Sequence, residues 1–194
     1  MSRFEGLAAE KDHLRQRLRR ARRSLTSGER QVANGRICTS LIALLSASRP
    51  IALASYLALP DEVDLAQVHH YWWSLGQAVW LPRVCGPGQL AWHLVSSLEQ
   101  VACGSYGIQE PDPELAQRGD LPAAALVLVP GIGFTTDGAR LGQGGGFYDR
   151  VLSTHQGHAI GVGYACQLVE SVPHEIHDRQ VGQLLIDGQL ISLG

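Results

Sequence analysis

The spacing of apolar positions divides the chain into helical and extended segments. From Gly6 to Arg23, Leu7, Leu14, Leu18 and Ala21, continued by Leu25, recur at spacings of three, four and seven among charged residues, which predicts an amphipathic helix with one packing stripe. Thr26-Ser-Gly-Glu29 has the spelling of a capping box and opens a second helix predicted to run to about Ser46, with Ile37, Leu41, Leu44 and Leu45 in the core. Pro50 introduces Ile51–Leu57, a short apolar run predicted as the first strand. The acidic stretch Pro60-Asp61-Glu62-Val63-Asp64 reads as the start of a third helix through Trp73, stopped by Gly76. Val79–Pro82 and Leu90–Val95 are predicted strands around Gly86-Pro87-Gly88. Ala124–Val129 is an unbroken apolar run between Pro122 and Pro130, the form of a strand buried on both faces. His158–Tyr164 is a further strand, and Leu184–Ile186 with Gln189–Ile191 closes the chain as a hairpin around Asp187-Gly188. Trp72, Trp73, Trp80 and Trp92 read as core or partly buried, and no role falls to His69 or His70. Strand and helix signals alternate from 50 to 186, which predicts an α/β layered sandwich with a largely parallel central sheet.

Composition narrows the class. At 194 residues and 45% hydrophobic, the chain can bury a full core, and one domain spanning 1–194 is expected. It shows no apolar run long enough to span a membrane and no basic-then-apolar leader, so a cytoplasmic protein without a membrane partner is expected. Cys38, Cys85, Cys103 and Cys166 lie far apart and form no CxxC pair, so they read as reduced, mostly buried thiols. The net charge is −2, but residues 1–36 carry +6 and the remainder −8. A basic helix on an acidic body suits nucleic acid, an anionic surface or the phosphates of a small ligand. Without interleaved aromatic residues, nucleic acid is the least favoured of these. Arg17, Arg19, Arg20 and Arg23 read as a solvated helix face.

The densest candidate chemistry lies between 130 and 149. Thr136-Asp137-Gly138 reads as a tight turn. Arg140-Leu141-Gly142-Gln143-Gly144-Gly145-Gly146 follows, and a helix begins at Phe147 or Tyr148. A backbone without Cβ atoms can approach an anion and aim several N–H groups at it, and the helix start behind it adds partial positive charge. Arg140 adds a fork of donors suited to phosphate oxygens. A Walker A loop is excluded because no lysine is near, and a dinucleotide fingerprint because Phe147 stands where its third glycine belongs. On composition alone the cluster also fits a flexible surface loop. Pro173-His174-Glu175-Ile176-His177-Asp178 lacks the HExxH spacing of a zinc helix.

The spelling of this stretch is more specific than its composition. Pro130-Gly131-x-Gly133-Phe134, Asp137-x-x-Arg140 and Leu141-Gly142-x-Gly144-x-Gly146-Phe147-Tyr148-Asp149 resemble the signature of the 5-formyltetrahydrofolate cyclo-ligase family, also called methenyltetrahydrofolate synthetases. The resemblance reaches from Lys11 to Asp178. It implies a NagB/RpiA/CoA-transferase-like fold and ATP-dependent closure of 5-formyltetrahydrofolate to 5,10-methenyltetrahydrofolate, by a monomer that needs Mg²⁺. Lys11 and Arg15 match a Lys-x-x-x-Arg pair that holds ATP phosphates, and the loop Arg140, Leu141, Gly142, Gln143, Gly144, Gly145, Gly146, Phe147 and Tyr148 completes the nucleotide site. Leu57, Glu62, Tyr106 and Tyr148 match the folate pocket, Asp149 and Asp178 the magnesium site, and Arg140 and Tyr148 the catalytic positions. The chain departs from the common spelling at Gln143, often aromatic or basic, and at Phe147, often tyrosine. A non-catalytic nucleotide- or nucleic-acid-binding relative, and a sugar-phosphate or CoA-ester enzyme of the same fold, are the rival readings.

Overall fold

Two helices lead the chain, α1 (Arg3–Ser24) and α2 (Ser27–Ser48). The computed structural model describes residues 3–104, 108–175 and 178–193, with side chains from Gly6 onward. The capping box is present: Thr26 accepts from the Glu29 backbone at 3.2 Å, and the Glu29 carboxylate accepts from the Thr26 backbone at 2.8 Å. Then follow β1 (Leu53–Ala54), α3 (Ala66–Ser74), β2 (Val79–Gly86), β3 (Gln89–Val95), β4 (Val101–Cys103), β5 (Gln109–Pro111), β6 (Gln117–Gly119) and β7 (Leu126–Pro130). The chain finishes with β8 (Gly133–Phe134), β9 (Arg140–Leu141), α4 (Phe147–Thr154), β10 (Ala159–Gly163), β11 (Gln183–Ile186) and β12 (Gln189–Ser192).

The main sheet runs β12-β11-β10-β7-β1-β2-β3-β6. Its centre, β11-β10-β7-β1-β2, is parallel throughout. The flanking pairs β11–β12, β2–β3 and β3–β6 are antiparallel. The sheet is therefore mixed, with the predicted parallel character confined to its core. Short hairpins β4–β5 and β8–β9, which no periodicity announced, stand outside it.

Alternate residues of each central strand enter different cores, as a strand covered on both faces requires. Leu126 and Leu128 join Ile37, Leu41 and Leu45 of α2 and Val68 and Trp72 of α3. Val127 and Val129 join Trp80, Phe134 and Leu184 on the other face, where Val151 and Leu152 of α4 pack. Leu14 and Leu18 of α1 seal a third cluster against Ile132 and Leu141. That placement brings the basic helix over the β8–β9 hairpin.

Three expectations change. The strand predicted over Ile51–Leu57 shrinks to Leu53–Ala54, because the chain leaves the ladder after Ser55 and Tyr56 turns its hydroxyl onto the Val63 carbonyl at 3.1 Å. Asp61 and Glu62 lie in a loop ahead of α3 rather than in its first turn; Asp64 instead receives the Ala66 N–H at 2.9 Å. Of the cysteines only Cys38 is buried, while Cys85 and Cys103 are exposed and Cys166 is half-buried.

Candidate active site at the strand crossover

Strand order reverses between β7 and β1, so the chain crosses in opposite directions from their carboxyl ends and leaves a crevice there. The loop after β1 supplies Leu57 and Glu62 to a cavity whose opposite wall is Pro130, Gly131 and the stretch Arg140 to Asp149. Val84, Ile108 and Glu110 line a third side. Among the described residues, the buried side-chain polar atoms without a hydrogen-bond partner are Glu110 Oε2, Arg140 Nε and the Tyr148 hydroxyl. All three residues line this cavity; Glu110 Oε2 has the Arg83 guanidinium 3.5 Å away, which leaves Arg140 Nε and the Tyr148 hydroxyl as the unmet buried polar groups that a bound ligand would satisfy.

Glu62 is held by donors from three segments. Its Oε2 accepts from the Leu59 N–H at 3.1 Å, and its Oε1 faces Gln143 Nε2 at 3.3 Å and Arg22 Nη1 at 3.8 Å. Burial pushes its carboxyl above the usual range, and the Leu59 hydrogen bond, Arg22 and Gln143 oppose that push in this order. Arg22 is buried and also grips Asp61 at 2.9 Å. Tyr148 lies with its ring 5.9 Å from the Arg140 guanidinium carbon. Burial, reinforced by the nearby Glu62 charge, holds its phenol protonated far above neutral pH.

The glycine loop is fastened by its carbonyls. Arg15 Nε donates to Gly142 O at 2.9 Å, Arg19 Nη2 to Gln143 O at 3.5 Å and Arg150 Nη1 to Gly145 O at 3.0 Å. In a trans peptide the following N–H points opposite its carbonyl, so those of Gln143, Gly144 and Gly146 face away from these arginines. None of them reaches a protein acceptor among the described residues. Gly144 and Gly146 have φ of 108° and 64°, a region costly for residues with a Cβ, and Gly146 caps α4 without any side-chain bond. The result is a curve of open N–H groups at a helix start, a geometry of the kind that suits an anion.

The charged residues predicted for phosphate and metal are paired with one another. Lys11 Nζ donates to Glu175 at 2.5 Å and to Asp178 at 2.7 Å. Burial alone would lower the Lys11 pKa, but its hydrogen bonds to Asp178 and Glu175 hold it above its usual value. Arg140 Nη2 donates to Asp149 at 2.8 Å. The Arg179 N–H lies 3.4 Å from Asp149 Oδ1, so the residue that follows Asp178 touches Asp149. Carboxylates are the ligand type that suits a hard divalent cation whose remaining ligands are phosphate and water. No cluster of three or more metal-ligating side chains occurs among the described residues.

Of the site residues read from the sequence, Leu57, Glu62, Arg140, Gly142, Gln143, Gly145, Gly146, Phe147, Tyr148 and Asp149 line one cavity. Lys11, Arg15 and Asp178 adjoin it through the contacts above. Leu141 directs its side chain into the α1 cluster, so only its backbone borders the loop. Tyr106 lies outside the described residues. Arg17, Arg20 and Arg23 are exposed as expected, but Arg19 is not a solvated arginine: it bonds Gln143. Arg22, Glu110 and Glu175 carried no assigned role. Arg22 had a signal, since Lys11, Leu14, Leu18 and Arg22 follow one helical stripe; Glu110 and Glu175 had none.

The 5-formyltetrahydrofolate cyclo-ligase family model matches residues 7–187. The chain is 31% identical over 168 residues to the 5-formyltetrahydrofolate cyclo-ligase of Escherichia coli (strain K12), covering 83% of this chain and 91% of that protein. It is 26% identical to the corresponding protein of Haemophilus influenzae, over 91% of this chain and 97% of that one. Its fold superimposes on the NMR structure of Aquifex aeolicus 5,10-methenyltetrahydrofolate synthetase with a TM-score of 0.83 at 28% identity, covering 94% of this chain and 92% of the other.

Proposed function

Because the chain belongs to the 5-formyltetrahydrofolate cyclo-ligase family, we propose that it converts 5-formyltetrahydrofolate to 5,10-methenyltetrahydrofolate, consuming ATP with Mg²⁺ and releasing ADP and phosphate. The observation that carries this reading is that one stretch, Arg140 to Asp149, walls the apolar cavity containing Glu62 and also holds the open N–H curve and the Asp149 carboxylate.

A formyl oxygen on nitrogen is a poor leaving group. Transfer of the γ-phosphoryl group to that oxygen makes it a phosphate ester of the imidate form, the neighbouring amine attacks the same carbon, and phosphate departs. Such chemistry asks the protein for positioning and charge compensation rather than a nucleophile. Glu62 accepts from ring N–H groups of the pterin and fixes its orientation, with Leu57 as an apolar wall. Lys11, Arg140 and the N–H groups of the loop bind the phosphates. Arg140, buried over Tyr148, is set to stabilise charge on the transferring group. The protonated Tyr148 hydroxyl, without a hydrogen-bond partner among the described residues, supplies a hydrogen bond between nucleotide and folate. Asp149 and Asp178 would hold Mg²⁺, which supplies charge neutralisation to the phosphates when bound.

We further read the chain as a cytoplasmic monomer of one domain, 1–194, taking neither nucleic acid nor membrane as partner. In support, Lys11, Arg15, Arg19 and Arg22 of the basic helix bond within the protein. No helix among the described residues is long and apolar enough to cross a membrane.

The test is the absorbance of methenyltetrahydrofolate after mixing the protein with 5-formyltetrahydrofolate and Mg²⁺, with and without ATP. An ATP-dependent rise is expected. No rise while ATP still binds would point to another formyl or carboxyl substrate.

A further inference from the structure

Gln143 joins the two halves of the site. Its Oε1 receives the Arg19 guanidinium at 2.7 Å, and its Nε2 faces Glu62 Oε1 at 3.3 Å. The orientation of the amide follows from chemistry: guanidinium only donates and a carboxylate only accepts, so the amide oxygen must face α1 and the NH₂ must face Glu62. Arg19 stands one turn beyond Arg15 on the same helix face, so the helix that fastens the loop at Gly142 also sets the rotamer of the next side chain. Oxygen Oε2 of Glu62 is occupied by the Leu59 N–H, so Gln143 governs the other oxygen, which also faces Arg22.

We propose that Arg19 and Gln143 form a positioning relay, running from the outer side of α1 through the glycine loop to Glu62, that orients the pterin-binding carboxylate and sets folate affinity. Arg19 acts through Gln143. The relay rests on the reading of Glu62 as the folate carboxylate. Because Gln143 lies in the loop whose N–H groups take phosphate, nucleotide that orders the loop also fixes the partner of Glu62. The two ligands are thereby coupled, each raising affinity for the other by the same factor.

The test is calorimetric titration of the full chain with 5-formyltetrahydrofolate, alone and with Mg²⁺ and a non-hydrolysable ATP analogue. Gln143→Glu keeps and strengthens the pairing with Arg19 but turns a carboxylate oxygen onto Glu62. It is expected to weaken folate binding on the order of tenfold, several times more than it weakens the analogue, which meets the new charge through the loop. Gln143→Met should abolish the coupling between the ligands, and Arg19→Met should weaken folate several-fold with Arg19→Lys restoring most of it. Folate binding by Gln143→Glu at the wild-type level or tighter would overturn the relay. So would a parallel loss of folate and analogue, which would make Gln143 only a loop anchor. Failure of the underlying reading is separate: wild-type folate affinity in Glu62→Gln would remove Glu62, and the relay with it, from the folate site.

Discussion

Replacing Arg22 by Met tests whether the basic helix is built into the site or merely lies over it. The Arg22 side chain is 3% exposed and its guanidinium reaches Asp61 at 2.9 Å, Glu62 at 3.8 Å and Gly131 O at 3.4 Å. Methionine keeps most of the stem's packing but removes the charge, leaving two adjacent, largely buried carboxylates without a buried cation. Breaking such a pair from one side costs about 3–5 kcal/mol. Arg23, 71% exposed with its Nε 3.6 Å from Asp61, can cover part of the loss, which places the expected value at the lower end, about 3 kcal/mol. That is a large share of the stability of a typical domain. Urea unfolding measures it: the midpoint should fall with the slope unchanged. Asp61→Asn in the Arg22→Met background should recover part of the loss, because the two residues share one interaction. A loss below about 1 kcal/mol would mean that water screens the pair and would refute the structural role given to Arg22.

Further perturbations separate the remaining roles. Asp149→Asn can still accept from Arg140, so the fold should survive while Mg-ATP turnover falls on the order of a hundredfold; wild-type kcat in this variant would remove Asp149 from the metal site. Glu175→Gln takes away one of two carboxylates that compete with phosphate for Lys11, so the ATP Kd should fall by up to about fivefold; a weakened Kd would make Glu175 a metal ligand instead. Burial holds His69 neutral, with its pKa lowered to about 4, beside Ser55 at 2.8 Å. Between pH 6.5 and 4 the unfolded chain binds a proton there that the folded chain does not, so stability falls with falling pH, by about 2 kcal/mol at pH 5 relative to pH 8. His69→Gln should lack this part of the pH dependence in urea titrations at the two pH values, and an identical dependence would contradict the buried neutral state.

The central strands and the first two helices were legible because their signals are local. Leu126–Pro130 is apolar at every alternation, and Thr26 and Glu29 lie one helical turn apart. The strand signal over Ile51–Leu57 exceeds β1 because the stretch is apolar but for Ser55, yet tertiary contacts divert it after that residue toward the crevice. The glycine loop was legible from spelling, but its fastening was not. Arg15 and Arg19 reach the loop carbonyls across more than 120 positions of chain, and periodicity in α1 says which residues share a face without saying what that face meets. Periodicity alone therefore leaves Arg19 on a solvated face. Arg22 was legible in principle, on the stripe of Lys11, Leu14 and Leu18, because a charge on a buried stripe needs a counter-charge. Glu110 and Glu175 acquire meaning only from neighbours brought in by the fold.

The pairing of Lys11 with Asp178 and of Arg140 with Asp149 bears on how the nucleotide enters. Phosphate arriving alone would have to draw both cations from their carboxylates and leave Asp149, Asp178 and Glu175 without that compensation in a partly buried cleft. A divalent cation arriving alone would strip Arg140 of its carboxylate and leave Lys11 with Glu175 alone, both cations being buried. When phosphate and cation arrive together, each protein charge exchanges one opposite charge for another, and the desolvated groups are never left bare. With the phosphate and metal roles proposed above, the two pairs would act as one exchange site rather than as a separate phosphate site and metal site. Compensation within the protein also explains how a cleft with this density of charge stays folded before any ligand binds.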